Sequence, residues 1–363
     1  MIRIRLHPWA PGALALTLLA LGAAPGEAQI LYHPILGGLP ADSGLAAGVE
    51  FVRYQTMGPF DARARFTGSV KKYEHVELSL ELPPPATNDF FSEIRLRYRN
   101  YPEDDFWGLG ESTDRNRRSN YRLEDATLTG QAGLHFRSGL RLAAIAGLLE
   151  TNIGPGGDGD FPSTEAAFTP AETPGLEASP DYWLLGARID YDRRDNRDDT
   201  RSGQLALFEW TRYADRAPGD WSFHRYQLEY RQFLPITDDA RVALRARAVL
   251  TDTFPGHTIP FYLQPSAGGT DTVRGFNQYR FRSGNSLVFN AEFRQAWKSI
   301  VDIIVFADAG RVAEGPSDIS LQRLQTSLGV GGRVRLGSNT LFGVDVGFSE
   351  EGRHFWFRSG HTF

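Results

Sequence analysis

Residues 268–276, GGTDTVRGF, decide how the rest of the chain is read. At their centre Arg274 sits on a glycine-rich loop, and the two segments that follow carry acids at alternate positions. In 284–297, Glu292 shares a face with Asn290 and Arg294. In 300–310, Asp302, Ile304, Phe306 and Asp308 share one face, while Val301, Ile303, Val305 and Ala307 take the other. If these segments are neighbouring antiparallel strands, Glu292 and Asp308 come close together. Two carboxylates at short range stay ionised only with a cation between them. Arg274 suits that place, because its planar fork can meet a carboxylate with two parallel bonds and lysine cannot. Gly268, Gly269 and Gly275 let the loop turn sharply and approach a wall, against which Phe276 can pack. Spacing alone leaves a second reading open, in which Arg274 is a solvated loop charge worth little to stability.

Outward from this stretch, period-two alternation recurs and helical periodicity is scarce. Val242, Leu244, Ala246, Ala248 and Leu250 oppose Arg241, Arg245 and Arg247. Trp183, Leu185, Ala187, Ile189 and Tyr191 oppose Arg188, Asp190 and Asp192. Ile94, Leu96 and Tyr98 alternate with Arg95, Arg97 and Arg99. A soluble sandwich also alternates, but rows of arginine on one face and grease on the other in strand after strand suit a wet lumen inside lipid. The fold expected is therefore all-β: a transmembrane antiparallel β-barrel, closed so that no edge is left unpaired in lipid, with an inward-folded extracellular loop.

Fifteen strands are expected at 45–56, 61–70, 73–82, 91–101, 121–136, 140–152, 182–191, 203–213, 222–234, 240–250, 284–297, 300–310, 324–336, 340–349 and 353–363. Residues 30–37, ILYHPILG, supply a weak first strand and bring the number to sixteen. With the C-terminus inside, the long connections 102–120, 153–181, 251–283 and 311–323 all fall outside and most of the opposite ones are tight turns, as barrels of this kind are built. Residues 153–181, rich in Gly, Pro, Ala, Thr and acids, are expected as a mobile surface loop.

Composition fixes the compartment. Residues 1–28 carry a basic start (Arg3, Arg5), an apolar run from Ala13 to Leu21 and a small-x-small site at Gly26–Ala28, which together read as a secretory signal. The mature part is then 29–363, a single barrel domain. There is no cysteine, which excludes disulfide scaffolds and thiolate metal sites. A net charge of −5 gives no reason to expect nucleic acid. His75, His135, His224 and His354 fall in different strands, without metal-ligand spacing, and there is no nucleophile elbow or phosphate loop. No catalytic, cofactor or metal residue is expected; the chain reads as a non-enzyme.

From residue 91 onward the chain resembles the bacterial surface antigen family, the outer-membrane barrel superfamily that includes BamA, TamA and the two-partner secretion translocators. Val273-Arg274-Gly275-Phe276 is similar to the family's VRGF motif in the sixth extracellular loop. Phe306-Ala307-Asp308-Ala309-Gly310 is similar to its F-x-D-x-G strand motif, and Asn290-Ala291-Glu292-Phe293-Arg294 to the strand after the loop. Tyr191-Asp192-Arg193-Arg194-Asp195-Asn196 with Thr200-Arg201-Ser202-Gly203 resembles its DTRDN turn, and Phe106-Trp107-Gly108-Leu109-Gly110 an earlier loop. The resemblance implies a loop arginine locked onto acidic wall residues, Asp308 first and Glu292 second. It also implies a bacterial outer-membrane location, contact with outer-membrane lipid, and dependence on barrel assembly machinery for insertion.

Phe363, with Phe357 and Phe355 alternating back, is similar to the assembly signal that ends such barrels, although Ser359 and His361 are polar where apolar residues are usual. Only sixteen residues separate Gln29 from the strand at 45, too few for the periplasmic POTRA domains of better-known members. The resemblance is thus to the barrel-only branch. It implies a factor for assembly, insertion or translocation, with unfolded outer-membrane clients or a separate periplasmic module as partners. The alternative is a passive channel or structural barrel.

Overall fold

A computed structural model of the protein describes residues 30–57, 59–83, 89–197, 199–217, 219–298, 300–336, 339–358 and 363. Sixteen strands form one sheet in chain order, each antiparallel to its neighbours. The first four are β1 (Ile30–Leu36), β2 (Ala46–Met57), β3 (Phe60–Ser69) and β4 (Glu74–Leu82). Three long strands follow, β5 (Asp89–Phe106), β6 (Ser119–His135) and β7 (Leu140–Pro155). Next come β8 (Tyr182–Asp192), β9 (Gly203–Asp215), β10 (Phe223–Pro235) and β11 (Ala240–Thr253). Inside the long connection after β11, the two-residue strands β12 (Ser266–Ala267) and β13 (Phe281–Arg282) pair with each other as a separate ladder. The sheet resumes with β14 (Asn285–Trp297), β15 (Val301–Ala313), β16 (Gln325–Leu336), β17 (Asn339–Ser349) and β18 (Gly352–Arg358).

Alternation does what the sequence demands of it. One face exposes Trp183, Leu185, Ile189, Phe293, Trp297, Ile303, Val305, Phe355 and Phe357, an apolar belt of the kind that meets lipid. The other face carries the arginines and acids. Register lines up Ala243 with Glu292, Glu292 with Phe306, and Phe306 with Gly329 across four successive strands. No helix among the described residues is long and apolar enough to cross a membrane.

The core sits at one end. Tyr73, Tyr101, Phe106, Tyr121, Phe168, Leu176, Phe261 and Tyr262 pack together where the long connections gather. Residues 153–181, expected as a mobile tether, are folded instead. They hold a helical turn at Thr164–Ala167, and they bury Phe168 and Leu176 in that cluster. The apolar residues among the prolines supplied the reason, outweighing the disorder that composition alone suggests.

Several strand ends also differ from expectation, that of β5 most. β5 continues to Phe106 because its register shifts between Tyr101 and Asp104, which takes Pro102 out of the ladder in a bulge. β18 is described as far as Arg358, and positions 359–362 of the strand expected over 353–363 lie outside the described residues; Phe363 lies on the lumen side, against Phe233 and Ala243. The expected leader over 1–28 and the polar Ser359 and His361 lie outside the described residues. The first and last strands, β1 and β18, do not pair with each other among the described residues, so the barrel is closed except at that seam. There, a Cβ placed on Gly37 would come 3.1 Å from the Arg358 Cα.

Candidate functional site

The β12–β13 ladder ties the base of the loop, and between its strands the chain dives to the wall. Main-chain bonds from Gly269 N to the Val273 and Phe276 carbonyls, at 3.2 and 3.1 Å, wind 269–276 into a compact turn. Val273 and Phe276 are fully buried with Phe281 and Val312, and this packing points Arg274 outward from the turn into the sheet. A Cβ on Gly275 would lie 2.4 Å from the Ser327 Cβ, and one on Gly347 would lie 2.2 Å from the Arg274 carbonyl oxygen. The loop reaches the wall because neither residue has a side chain.

Arg274 has no exposed surface. Its Nε and Nη2 donate to the two oxygens of Asp308 at 2.8 and 2.7 Å, and its main-chain N–H donates to the same carboxylate at 3.1 Å. Nη1 donates to Glu292 Oε1 at 2.6 Å and lies 3.5 Å from Asp345 Oδ2. The guanidinium carbon sits 3.4 Å from the centre of the Phe306 ring, which attracts the cation from its face. Burial acts to lower the arginine pKa, but Glu292, Asp308 and Asp345 outweigh it and raise the pKa above the ordinary value, so the group stays charged.

The acids are themselves held. Glu292 also accepts from Arg294 Nε at 2.8 Å, and Asp345 accepts from both Arg333 terminal nitrogens at 2.7 and 2.8 Å. Asp308 accepts from Asn290 at 2.8 Å. Three buried carboxylates thus interleave with three buried arginines. Such a network is tolerable only when each member is satisfied, and removing one member strands a charge. Trp356 Nε1 donates to the Arg274 carbonyl at 2.6 Å, and Ser349 Oγ donates to the Gly275 carbonyl at 2.5 Å, so strands from β14 to β18 all grip the loop.

Of the residues singled out from sequence, Val273, Arg274, Gly275, Phe276, Glu292 and Asp308 come together at this point. Phe355 and Phe357 stand on the outer apolar face, and Phe363 lies apart from them in the lumen, where its carbonyl accepts from Arg294 at 3.3 Å. Asp345, Arg333 and Trp356 were missed. Asp345 alternated with glycines in a visibly inward row, so its face was legible; what placed it beside Arg274 was register across three strands, which no local pattern carries.

A family model described as the Omp85 superfamily domain matches residues 61–363. No curated protein matches the chain. Among solved structures, BamA from Haemophilus ducreyi lacking POTRA domains 1–3 is similar in fold, with a TM-score of 0.64 and 14% identity over 92% of this chain and 70% of that one. CdiB from Escherichia coli gives 0.58 and 14%, over 93% of this chain and 62% of its own. CdiB from Acinetobacter baumannii gives 0.53 and 13%, over 92% and 59%. At these identities the likeness is one of fold.

Proposed function

The chain belongs to the Omp85 superfamily, and on that premise we propose that it is a bacterial outer-membrane barrel that assists insertion or translocation of unfolded polypeptides. The observation that carries this reading is the seam. Among the described residues β1 and β18 share no ladder, whereas every other neighbouring pair in the sheet does. An edge without a partner is a template for another strand. In this reading the Arg274 network has a mechanical part: it braces β14 to β18 so that the wall next to the seam keeps its shape while the seam yields. The side chains perform no bond chemistry, and the chain is not an enzyme. Partners in this reading are outer-membrane lipid, unfolded barrel clients and a separate periplasmic module.

The second reading, a passive or structural barrel, is favoured by the outer mouth, where Phe106, Phe168 and Phe261 pack ring against ring with centroids 4.8 Å apart. One experiment separates the two. The chain has no cysteine, so cysteines at Gly37 and Arg358 staple the seam on oxidation. In liposomes, the reduced protein should speed folding of an added unfolded barrel client, and the oxidised protein should not. Equal rates in both states would remove the seam from the mechanism, and ion conductance without any folding effect would favour the structural barrel.

A further inference from the structure

We propose that the outer face carries a binding site for a short cationic peptide segment with apolar side chains, in a cleft distinct from the Arg274 network and independent of the seam reading. The cleft has a volume of about 1130 Å³ and lies between the connections that follow β5, β7, β11 and β15. Its lining includes six carboxylates and a single arginine, in a chain whose whole net charge is −5. That arginine, Arg311, is already committed: Nη2 donates to Glu111 Oε2 at 2.9 Å, and Nη1 donates to Ser320 Oγ at 2.5 Å and to the Gln322 carbonyl at 3.0 Å. His257 accepts a main-chain N–H from Ser222 on its Nδ1 at 3.1 Å.

Glu165, Glu177, Asp252 and Glu314 line the rim with no ion pair among the described residues. Glu111, which also lines the cleft, has its second oxygen, Oε1, buried without a hydrogen-bond partner among the described residues. A buried acceptor left open beside a set of uncompensated acids is matched by a donor that carries positive charge. The acids are spread around the cleft rather than clustered, and no group of three His, Asp or Glu among the described residues could hold a metal ion. Several separated cations on one chain fit that spacing better than a single ion. Leu109, Pro170, Ala171, Pro174 and Trp221 line the cleft as well and are exposed or half-buried, so apolar side chains of the segment have surface to cover.

The test uses the whole protein in zwitterionic nanodiscs and a fluorescent hexapeptide alternating lysine and phenylalanine, with empty nanodiscs as baseline. Fluorescence polarisation should show saturable binding that weakens with salt, as exposed charge pairs do. Replacing Glu165, Glu177 and Glu314 with Gln and Asp252 with Asn should weaken it at least tenfold. Ala171→Trp, which fills the cleft without changing charge, should weaken it at least fivefold. Asp238→Asn with Asp239→Asn, on the opposite end of the barrel, should leave it within twofold. Wild-type affinity in the fourfold variant would overturn the proposal. So would wild-type affinity in Ala171→Trp, which would reduce the effect to a charged surface with no site. No binding above the empty-disc baseline would overturn it outright.

Discussion

Arg274 meets Asp308 side-on, with Nε and Nη2 reaching its two oxygens at 2.8 and 2.7 Å while the main-chain N–H of the same residue reaches Oδ2 at 3.1 Å. One carboxylate thus fixes both the side chain and the backbone of the loop. Arg274→Ala leaves Asp308, Glu292 and Asp345 without their shared cation and should destabilise the barrel by about 3–5 kcal/mol. Arg274→Lys should fall between the two, because it keeps the charge and loses the fork. Urea unfolding from lipid vesicles gives the stabilities, and limited proteolysis of 251–283 reports whether the loop has come away.

Gly275→Ala should cost about 1–3 kcal/mol, the ordinary penalty for forcing atoms into a filled space. Its Cβ would meet Ser327 and Ser349 side chains at 2.4 and 2.7 Å. Gly159→Ala, in the connection after β7 where nothing lies within 4 Å, is the matched control and should change stability little. Equal melting temperatures for the two variants would show that the loop does not touch the wall.

Phe261 sits where the long connections gather, fully buried against Phe106 and Tyr121 with ring centroids 4.8 Å away in each case. Phe261→Ala should cost about 3–5 kcal/mol and, if this cluster is the barrier to ions, should raise single-channel conductance in planar bilayers. Unchanged conductance would place the barrier to ions elsewhere in the lumen.

In the turn between β8 and β9, Asp195 accepts main-chain N–H groups from Asn196, Arg201 and Ser202 at 2.8, 3.0 and 3.2 Å. Burial pushes its carboxyl up, but these bonds outweigh it and hold the pKa below the usual carboxylate value. A depressed folded pKa contributes stability that is present above the unfolded value, about 3.9, and is lost as pH falls through the folded one. Protection factors of the 193–202 amides, exchange rates divided into the intrinsic rate at each pH, should therefore be constant from neutral pH down to about 4 and should fall below it. Asp195→Asn should lower those protection factors at every pH.

How far the sequence reached follows from the range of each signal. Alternation is local, so the inward faces of Asp302, Asp308 and Glu292 and the outward faces of Trp183 and Phe293 were readable, as was the sorting of long and short connections. The VRGF resemblance supplied the pairing partners that spacing had left open. Hidden features were those set by distant chain. Asp345 reaches Arg274 only through the register of β15, β16 and β17. The β12–β13 ladder is two residues long, below any pattern. Residues 153–181 looked disordered by composition, yet Phe168 packs on Phe106 at the end of β5, which packs in turn on Phe261.

The account stands on Arg274 and Asp308 acting as one buried unit. A double-mutant cycle with Arg274→Ala, Asp308→Asn and the pair, read by urea unfolding in lipid vesicles, measures that coupling directly. The expected result is a coupling of about 1–3 kcal/mol, with the double variant much less damaged than the sum of the singles. Strictly additive effects would contradict it, and would mean that the arginine and the acid do not meet in the folded protein.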